Sequence, residues 1–153
     1  MPARKLKAFL NENRVKYVSI RHSPAYTAQE VAASTHISGR DIAKTVLLKT
    51  EQGIVMLVLP ADRHVNLDEA ERALGVGQAR LATEEEFKRL FPDCEPGAMP
   101  PFGNLYDLPV YVAPSLTAET EIAFNAGSHT EVIRMAYADF ADLVHPIVVE
   151  FSA

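Results

Sequence analysis

The sequence predicts a mixed α/β fold of the α+β kind, a single domain with a central mixed, largely antiparallel sheet flanked by helices. Segments of helical and strand type follow in the order αβαββαα, then a loop, then βββα. This order lacks the regular alternation of a doubly wound fold. The 153 residues, 48% of them hydrophobic, match one domain with one core. We therefore expect one domain over residues 1–153.

The first two elements follow from hydrophobic spacing. Leu6, Phe9 and Leu10 recur at intervals of three and four residues, with charges between them. This spacing predicts an amphipathic helix from Ala3 to Asn13. Residues 17–21 alternate as a short strand does.

Three further helices are indicated by residues that cap a first turn. In a capping box, a Ser or Thr hydroxyl and a Glu carboxylate three residues later each accept a backbone N–H. Thr27 with Glu30 and Thr83 with Glu86 have this form, and Asn66 can act as a single N-cap. The predicted helices cover residues 28–36, 67–74 and 84 to about 90.

The remaining strands are short runs rich in β-branched and aliphatic residues. The first two are separated by a loop ending in Gly53, which predicts a hairpin. The predicted strands cover residues 42–49, 54–59, 110–112, 121–125 and 132–135. Residues 138–144 predict a closing helix. Residues 92–104 contain four prolines and two glycines and are expected to be a loop.

The charge is unevenly distributed along the chain. Residues 1–50 carry nine basic and three acidic side chains, a net charge of +6, whereas the whole protein carries −5. This asymmetry fits either a surface that attracts phosphates or a solvated basic helix followed by acidic ones. The longest apolar run, residues 54–59, is too short to cross a bilayer. We expect a cytoplasmic protein without a membrane partner.

Most common catalytic centres find no counterpart in the sequence. The five histidines are scattered without metal-ligand spacing, and P-loop, GxGxxG and GxSxG motifs do not occur. We therefore expect no metal and no cofactor. Cys94, the only cysteine, lies between Asp93 and Glu95, whose negative field opposes a thiolate.

Three local features remain, and each has a structural and a functional interpretation. Lys44 begins an apolar strand, so it is either exposed at an edge or a buried cation with a function. The Gly97-x-x-x-Pro101 segment is either a rigid turn or a wall of a site. Gly127-Ser128-His129 is either a hairpin corner or part of the same site.

Four ordered blocks, spanning about residues 17–145, together resemble the YbaK / prolyl-tRNA synthetase-associated editing domain family. The blocks are residues 22–32 (HSPAYTAQEVA), 43–48 (AKTVLL), 97–103 (GAMPPFG) and 125–129 (NAGSH). The Lys-Thr-aliphatic strand and the GxxxP-Phe-Gly loop are the most specific of them.

The resemblance implies a free-standing aminoacyl-tRNA deacylase. Such a trans-editing hydrolase removes a wrongly attached amino acid from tRNA, here expected to be a tRNA(Pro)-type substrate, by attack of water on the aminoacyl ester. A synthetase pocket discriminates weakly against smaller or near-isosteric amino acids, which is why a second site is needed. The expected partner is mischarged tRNA, and an aminoacyl-tRNA synthetase is a second candidate partner.

The resemblance also implies roles for individual residues. Lys44 corresponds to the family lysine near the ester and terminal adenosine and is the expected catalytic residue. His129 is expected to bind the substrate rather than to act as a catalytic base. Tyr26, Met99 and Phe102 are candidates for setting the pocket size, with core packing as the other interpretation. The expected substrate-binding residues are His22, Tyr26, Thr27, Thr45, Gly97, Met99, Pro101, Phe102, Gly103, Gly127, Ser128 and His129.

Two other functions remain open. One is a non-catalytic module that binds the tRNA acceptor end, and the other is a small-molecule esterase or amidase that uses the same pocket. A subsidiary expectation is that Lys5, Lys7 and Arg21 recruit the acceptor stem through its phosphates.

Overall fold

The computed structural model describes residues 4–152, which form five α-helices, eight strands and two short 3₁₀ helices. The helices are α1 (Arg4–Glu12), α2 (Ala28–Thr35), α3 (Leu67–Leu74), α4 (Glu84–Lys88) and α5 (Tyr137–Val144). The strands are β1 (Tyr17–Arg21), β2 (Ala43–Thr50), β3 (Gly53–Pro60), β4 (Ala79–Leu81), β5 (Val110–Val112), β6 (Glu121–Asn125), β7 (Glu131–Ala136) and β8 (Ile147–Val148). The 3₁₀ helices are Gly103–Tyr106 and Pro114–Ala118.

The strands form two sheets rather than the single central sheet expected from the sequence. The first has the order β1-β7-β6 and is antiparallel throughout. The second has the order β4-β2-β3-β5-β8, in which β2 is antiparallel to β3 and β4, and β5 is parallel to β3 and β8. A parallel bridge between Ile42 and Ala123 joins the sheets where β2 begins beside β6. The fold class is the mixed α/β one that was predicted.

The largest core cluster lies between the two sheets. Phe102 is fully buried there, with its ring centroid 5.6 Å from that of Phe124 and 5.4 Å from that of Phe140. Leu6 and Leu10 of α1 are buried in the same cluster, as the three- and four-residue spacing predicted. Burial of this aromatic and aliphatic surface is the main force that holds the two sheets together.

The helix boundaries mostly follow the predicted caps. Both capping boxes, Thr27 with Glu30 and Thr83 with Glu86, are present, and Asn66 accepts the Glu69 N–H at 3.0 Å. Helix α4 ends at Lys88 instead of about Leu90. Ala3, where α1 was predicted to begin, lies outside the described residues.

Two short strands, β4 and β8, were absent from the sequence prediction. Each lies at an edge of the five-stranded sheet. None of the helices within residues 4–152 is both long enough and apolar enough to span a bilayer. In the same part of the chain, His, Cys, Asp and Glu side chains do not gather into a group of three that could bind a metal ion.

Candidate functional site

A small cavity of about 160 Å³ lies where β2 and β6 meet and is bordered by the loop after Glu95. Tyr26 and Val31 of the α2 region form one side, and Gly97 and Met99 form another. The strand residues that line it are Ile42, Ala43, Lys44, Thr45 and Asn125. The cavity therefore collects residues from four segments that are far apart in sequence.

The parallel bridge explains why Lys44 and Asn125 are neighbours. Ile42 and Ala123 pair directly, and Lys44 and Asn125 each follow two residues later along strands that run in the same direction. Side chains two residues apart on a strand point to the same face. Lys44 and Asn125 therefore project from the face on which Ile42, Ala123 and Val31 pack together.

Lys44 is half-buried at this cavity. Burial lowers the pKa of its ammonium group below the ordinary 10.5, and the negative charge of Asp62 opposes that shift. A partly desolvated cation interacts more strongly with an anion than a fully hydrated one does. Lys44 can thus stabilise a phosphate or a developing negative charge within the cavity.

Thr45, which lines the cavity, has a hydroxyl that is unpaired within residues 4–152 and backbone groups that do not pair with β3. The hydroxyl oxygen is buried and finds no hydrogen-bond partner among the described residues. The Leu47 carbonyl, on the same edge of β2, accepts a hydrogen bond from Ala82 on the side away from β3. Backbone groups alternate along an antiparallel pair, so the N–H and C=O of Thr45 also point away from β3. They are available to a ligand on that side.

The loop of residues 95–98 is held against the corner of residues 127–129 by a short ladder. Glu95 N–H donates to the Gly127 carbonyl at 2.8 Å, and Gly127 N–H donates to the Ala98 carbonyl at 2.9 Å. The Glu95 carboxylate accepts the His129 backbone N–H at 2.7 Å. Gly97, between these anchors, has a φ of +85°, which favours glycine.

His129 packs behind this loop rather than on the cavity wall. Its Nε2 lies 2.8 Å from the Pro96 carbonyl, which can only accept, so Nε2 carries the proton and donates. A β-carbon added at Gly97 would lie 3.5 Å from His129 Cε1. The Tyr26 ring lies over the imidazole, with centroids 4.8 Å apart. His129 therefore supports Gly97 and Tyr26, which do line the cavity.

The family profile of the aminoacyl-tRNA editing domain matches residues 22–143, which include every segment of this cavity. The chain belongs to the aminoacyl-tRNA editing domain family. The resemblance noted in the four sequence blocks is thereby confirmed.

Individual relatives of this editing domain fall into two kinds. A proline–tRNA ligase of Heliobacterium modesticaldum is 28% identical over 102 residues, which is 67% of this chain and 17% of the ligase. The prolyl-tRNA editing protein ProX of Acetoanaerobium sticklandii is 23% identical over 143 residues, which is 90% of this chain and 87% of ProX. The chain thus spans 14–22% of the length of these proline–tRNA ligases and most of the length of ProX.

A solved structure described as a candidate trans-editing enzyme for prolyl tRNA synthetase has the same fold. The TM-score is 0.85, with 23% sequence identity, 99% of this chain covered and 97% of that chain covered. At this identity the likeness concerns the fold alone. It places the two sheets and their helices in a known arrangement.

Five of the predicted site residues of this editing domain line the cavity together: Tyr26, Lys44, Thr45, Gly97 and Met99. Three others lie near them without reaching the wall. Gly127 holds the 95–98 loop, and Ser128 Oγ lies 3.3 Å from Thr130 Oγ1 within the corner. Thr27 is occupied as the N-cap of α2.

His22 connects β1 to the same corner. Its backbone N–H donates to the Thr130 carbonyl at 2.9 Å, and its Nδ1 lies 2.7 Å from the Ser23 carbonyl. Its Nε2 is buried and has no hydrogen-bond partner within residues 4–152. His22 is not among the residues that line the cavity.

Pro101, Phe102 and Gly103 lie away from the cavity. Pro101 is buried, and Phe102 belongs to the aromatic core between the sheets, so its packing interpretation is the one the structure favours over setting pocket size. Gly103 begins a 3₁₀ helix, where an added β-carbon would lie 2.6 Å from Val110 Cγ2 and 2.9 Å from the Leu108 carbonyl. Close packing, rather than contact with a ligand, requires glycine there.

Four residues that line the cavity were not among those predicted: Val31, Ile42, Ala43 and Asn125. Asn125 was within the fourth sequence block, and its position as a polar residue at the end of an apolar strand was the signal that could have identified it. Val31, Ile42 and Ala43 carry no such signal, because apolar residues on a strand or helix are typical of any core.

Cys94 is unsuited to act as a nucleophile in this domain. Burial raises the pKa of its thiol to about 11, a hydrogen bond with Tyr106 partly opposes this, and the charge of Asp93 adds to the increase. Burial thus contributes more than the acidic neighbours that the sequence indicated. The thiol is also absent from the walls of the cavity around Lys44.

Two of the basic residues expected to recruit tRNA already have partners in the protein. Lys7 Nζ lies 2.6 Å from the Glu131 carboxylate, which also accepts a hydrogen bond from Ser19. Lys5 Nζ lies 4.5 Å from the centroid of the Tyr106 ring. Arg21 is exposed, and within the described residues its guanidinium forms no ion pair of 4.0 Å or less. Arg21 is therefore the most available of the three.

Proposed function

We propose that this protein is a trans-editing aminoacyl-tRNA deacylase that hydrolyses the ester of a mischarged tRNA of the tRNA(Pro) type. The observation that carries the proposal is the placement of a half-buried lysine in a small, partly polar cavity of an aminoacyl-tRNA editing domain. The coverage of ProX along most of both chains supports a free-standing form. The match to part of proline–tRNA ligases supports tRNA(Pro) as substrate and a synthetase as partner. Such a function is exercised in the cytoplasm.

The size of the cavity supports a small acyl group. Its volume of about 160 Å³ is close to the ~150 Å³ of a cavity known to bind benzene, a molecule of six non-hydrogen atoms. An alanyl ester group, counted from its amino nitrogen to both ester oxygens, also has six such atoms. A prolyl ester has two more. Amino acids no larger than proline, such as alanine, serine and cysteine, are therefore the expected groups to be removed.

The proposed reaction is attack of water on the ester carbonyl. The water oxygen bonds to the carbonyl carbon, the bond from that carbon to the ribose oxygen breaks, one proton of the water passes to the ribose oxygen, and the other is released to solvent. The free amino acid leaves as a carboxylate. The polar side chains on the cavity wall are Tyr26, Lys44, Thr45 and Asn125, and the hydroxyls of Tyr26 and Thr45 have no base among these residues. Direct water attack, assisted by the ribose hydroxyl of the substrate, is therefore favoured over a covalent enzyme intermediate.

Lys44 and the backbone supply the electrostatic part of this chemistry. The Lys44 ammonium would hold the terminal phosphate or stabilise the negative charge that develops on the ester oxygen. The Thr45 N–H, directed away from β3, and the backbone at Gly97 are available as further donors. Glycine at position 97 lets the backbone approach the ester without an intervening β-carbon.

A deacylation assay tests the proposal. Purified protein is incubated with tRNA(Pro) carrying radiolabelled alanine, serine, cysteine or proline, and release of the amino acid is followed with time. The wild-type protein is expected to deacylate at least one of the three mischarged tRNAs faster than prolyl-tRNA(Pro). Lys44→Met, which keeps the length of the side chain but removes its charge, is expected to lower the rate about 100-fold or more.

Lys49→Met is the matched control, because Lys49 lies on the same strand but outside this cavity. Its rate is expected to stay within about threefold of the wild type. Tight binding of charged tRNA without release of any amino acid would indicate that the protein is a non-catalytic module that binds the acceptor end, and not a deacylase. Equal hydrolysis of small amino acid esters would point to a general esterase instead.

A further inference from the structure

Asn125 ends β6 with its side-chain oxygen turned into the protein. The Oδ1 atom is buried and accepts no hydrogen bond from residues 4–152. Asn125 itself is one of the residues that line the cavity that also contains Lys44. Lys44 and Asn125 each come two residues after the Ile42–Ala123 bridge, so their side chains lie on the same face of the joined strands.

A buried acceptor without a donor is costly. Leaving such a group unsatisfied destabilises the folded state, and the great majority of buried polar atoms in folded proteins have a partner. The side chain is not needed to complete the sheet, because β6 pairs with β7 through backbone groups from Glu121 to Asn125. Because Asn125 lines a cavity, a rotation of its amide would turn this oxygen toward a ligand that brings the donor.

We infer that Asn125 binds the free α-ammonium group of the aminoacyl ester. This inference rests on the proposed function and identifies how that site would recognise its substrate. In an aminoacyl group with an apolar side chain, the ammonium is the only hydrogen-bond donor, whereas the carbonyl and ester oxygens only accept. The side-chain amide oxygen of Asn125 can therefore accept a hydrogen bond from the substrate ammonium, and the Lys44 ammonium can donate to the ester or phosphate oxygens at the other end of the substrate.

The neutrality of asparagine is part of the explanation. A carboxylate at position 125 would face Lys44 across the same small cavity and form an ion pair with it, which would take the ammonium away from the substrate. The amide accepts a hydrogen bond from the substrate ammonium without neutralising Lys44. Lys44 and the substrate ammonium can then occupy opposite ends of the aminoacyl group.

The test compares two substrates that differ only in the α-amino group. Alanyl-tRNA(Pro) is compared with lactyl-tRNA(Pro), in which a hydroxyl of nearly equal size replaces the ammonium. Each enzymatic rate is divided by the uncatalysed hydrolysis rate of the same ester, because the ammonium also activates the ester intrinsically. The wild-type protein is expected to prefer the alanyl ester by about 10-fold or more, the value of a hydrogen bond to a charged group.

Asn125→Leu removes the acceptor at similar volume, and its preference for the alanyl ester is expected to fall to about twofold or less. Asn125→Ala serves as a second variant in case leucine disturbs the fold. Asn104→Leu is the matched control, because Asn104 is exposed and does not line the cavity, and it should keep the full preference. A preference retained in a folded Asn125 variant would overturn the inference while leaving the deacylase proposal intact.

A binding measurement tests whether Asn125 recognises the α-ammonium group even if no ester is hydrolysed. Adenosine carrying an alanyl or a lactyl group in a stable 3′-amide linkage is titrated into wild-type protein and the Asn125→Leu variant. The wild-type protein is expected to bind the alanyl compound at least 10-fold more tightly, with the difference lost in the variant. Equal affinities in the wild-type protein would refute recognition of the ammonium, whereas absence of turnover alone would refute only the deacylase.

Discussion

Glu131 shows how one residue connects the first helix to the sheet. Its side chain is only 7% exposed and accepts from both Lys7 on α1 and Ser19 on β1. Burial raises the pKa of Glu131, but the hydrogen bonds from Lys7 and Ser19 and the positive charges of Lys7 and Arg21 outweigh it, so the pKa lies below the ordinary 4.5. A carboxylate whose pKa is lowered by folding stabilises the folded state at pH values above its unfolded-state pKa.

Glu131→Gln is therefore expected to lower the free energy of unfolding by about 2 kcal/mol at pH 7, the value of hydrogen bonds to a charged group. The difference from wild type should shrink as the pH falls below 4.5 and through the lower folded-state pKa, where the wild-type carboxylate also becomes neutral. Urea denaturation between pH 7 and pH 3 measures both effects.

Glu121→Gln provides the control for that experiment. Glu121 pairs with Arg134 at 3.2 Å, but both side chains are about half exposed. Exposed ion pairs contribute about 0–1 kcal/mol. Equal losses for the two variants at pH 7 would show that the buried ion pair at Glu131 has no special contribution.

Of the two polar residues Lys44 and Asn125 that line the cavity, only Lys44 was predicted from the sequence, and the reason is physical. A charged residue at the start of an apolar strand is costly unless it is exposed or functional, so Lys44 is conspicuous in a single sequence. An asparagine at a strand end is common near turns. Its significance depends on the unpaired Oδ1 and on a bridge between residues 81 positions apart, which only the fold reveals.

At the scale of elements, local signals predicted most helices and strands. The caps at Thr27, Asn66 and Thr83 act within one turn, and the hairpin of β2 and β3 depends on a short loop. Strand β4 has three residues and β8 has two. Such short segments become strands because β2 and β5 have free edges with which they can pair. The sequence of the short segments does not show that these edges are available.

The segment from Gly97 to Pro101 was expected to form one wall of the site, and its Gly97 and Met99 line the cavity, whereas Pro101 does not. Gly97→Ala places a β-carbon residue at a φ of +85°, which is expected to cost about 1–3 kcal/mol of strain. The added methyl group would lie 3.5 Å from His129 Cε1, an ordinary contact, so the backbone would relax rather than the histidine. We expect a loss of deacylation of about 10-fold or more, because a shifted loop no longer fits the ester.

Gly53→Ala separates loss of stability from loss of the site. Gly53 also has a positive φ, of +120°, but it lies in the β2–β3 hairpin with nothing within 4 Å of an added β-carbon. Both variants should unfold at lower urea concentrations, and only Gly97→Ala should lose activity at a temperature where both are folded. Similar activities would mean that the loop does not shape the site.

At the scale of the whole molecule, the sequence blocks predicted that distant segments would meet, and Lys44, Thr45, Gly97 and Tyr26 do line one cavity. The arrangement of the sheets was not predictable in the same way. The pairing of β2 with β6 is confined to one bridge within the described residues, and the cavity lies beyond it. Its volume is set by how far the strands separate, a quantity that no local pattern contains.

The uneven distribution of charge is also a property of the whole molecule. The structure shows which of the basic residues near the N-terminus are free to contact tRNA. Lys7 forms an ion pair with Glu131, and the Lys5 ammonium lies over the Tyr106 ring. Arg21, by contrast, is exposed at the end of β1, next to the segment that joins the His129 corner. A cation at this place can contact a phosphate while the acceptor end enters the cavity. Arg21→Glu is therefore expected to weaken tRNA binding.

The salt dependence of binding makes this prediction specific. Each phosphate contact contributes about 0.7–0.9 to the slope of log K against log salt concentration, so Arg21→Glu should reduce the slope by about 1. Arg72→Glu is the control, because Arg72 lies on α3 and is already paired with Glu69 at 2.8 Å. Filter binding between 50 mM and 200 mM salt measures both variants. An Arg21→Glu slope equal to that of the control would place the phosphate path on another surface, since a cation that contacts no phosphate releases no counterions.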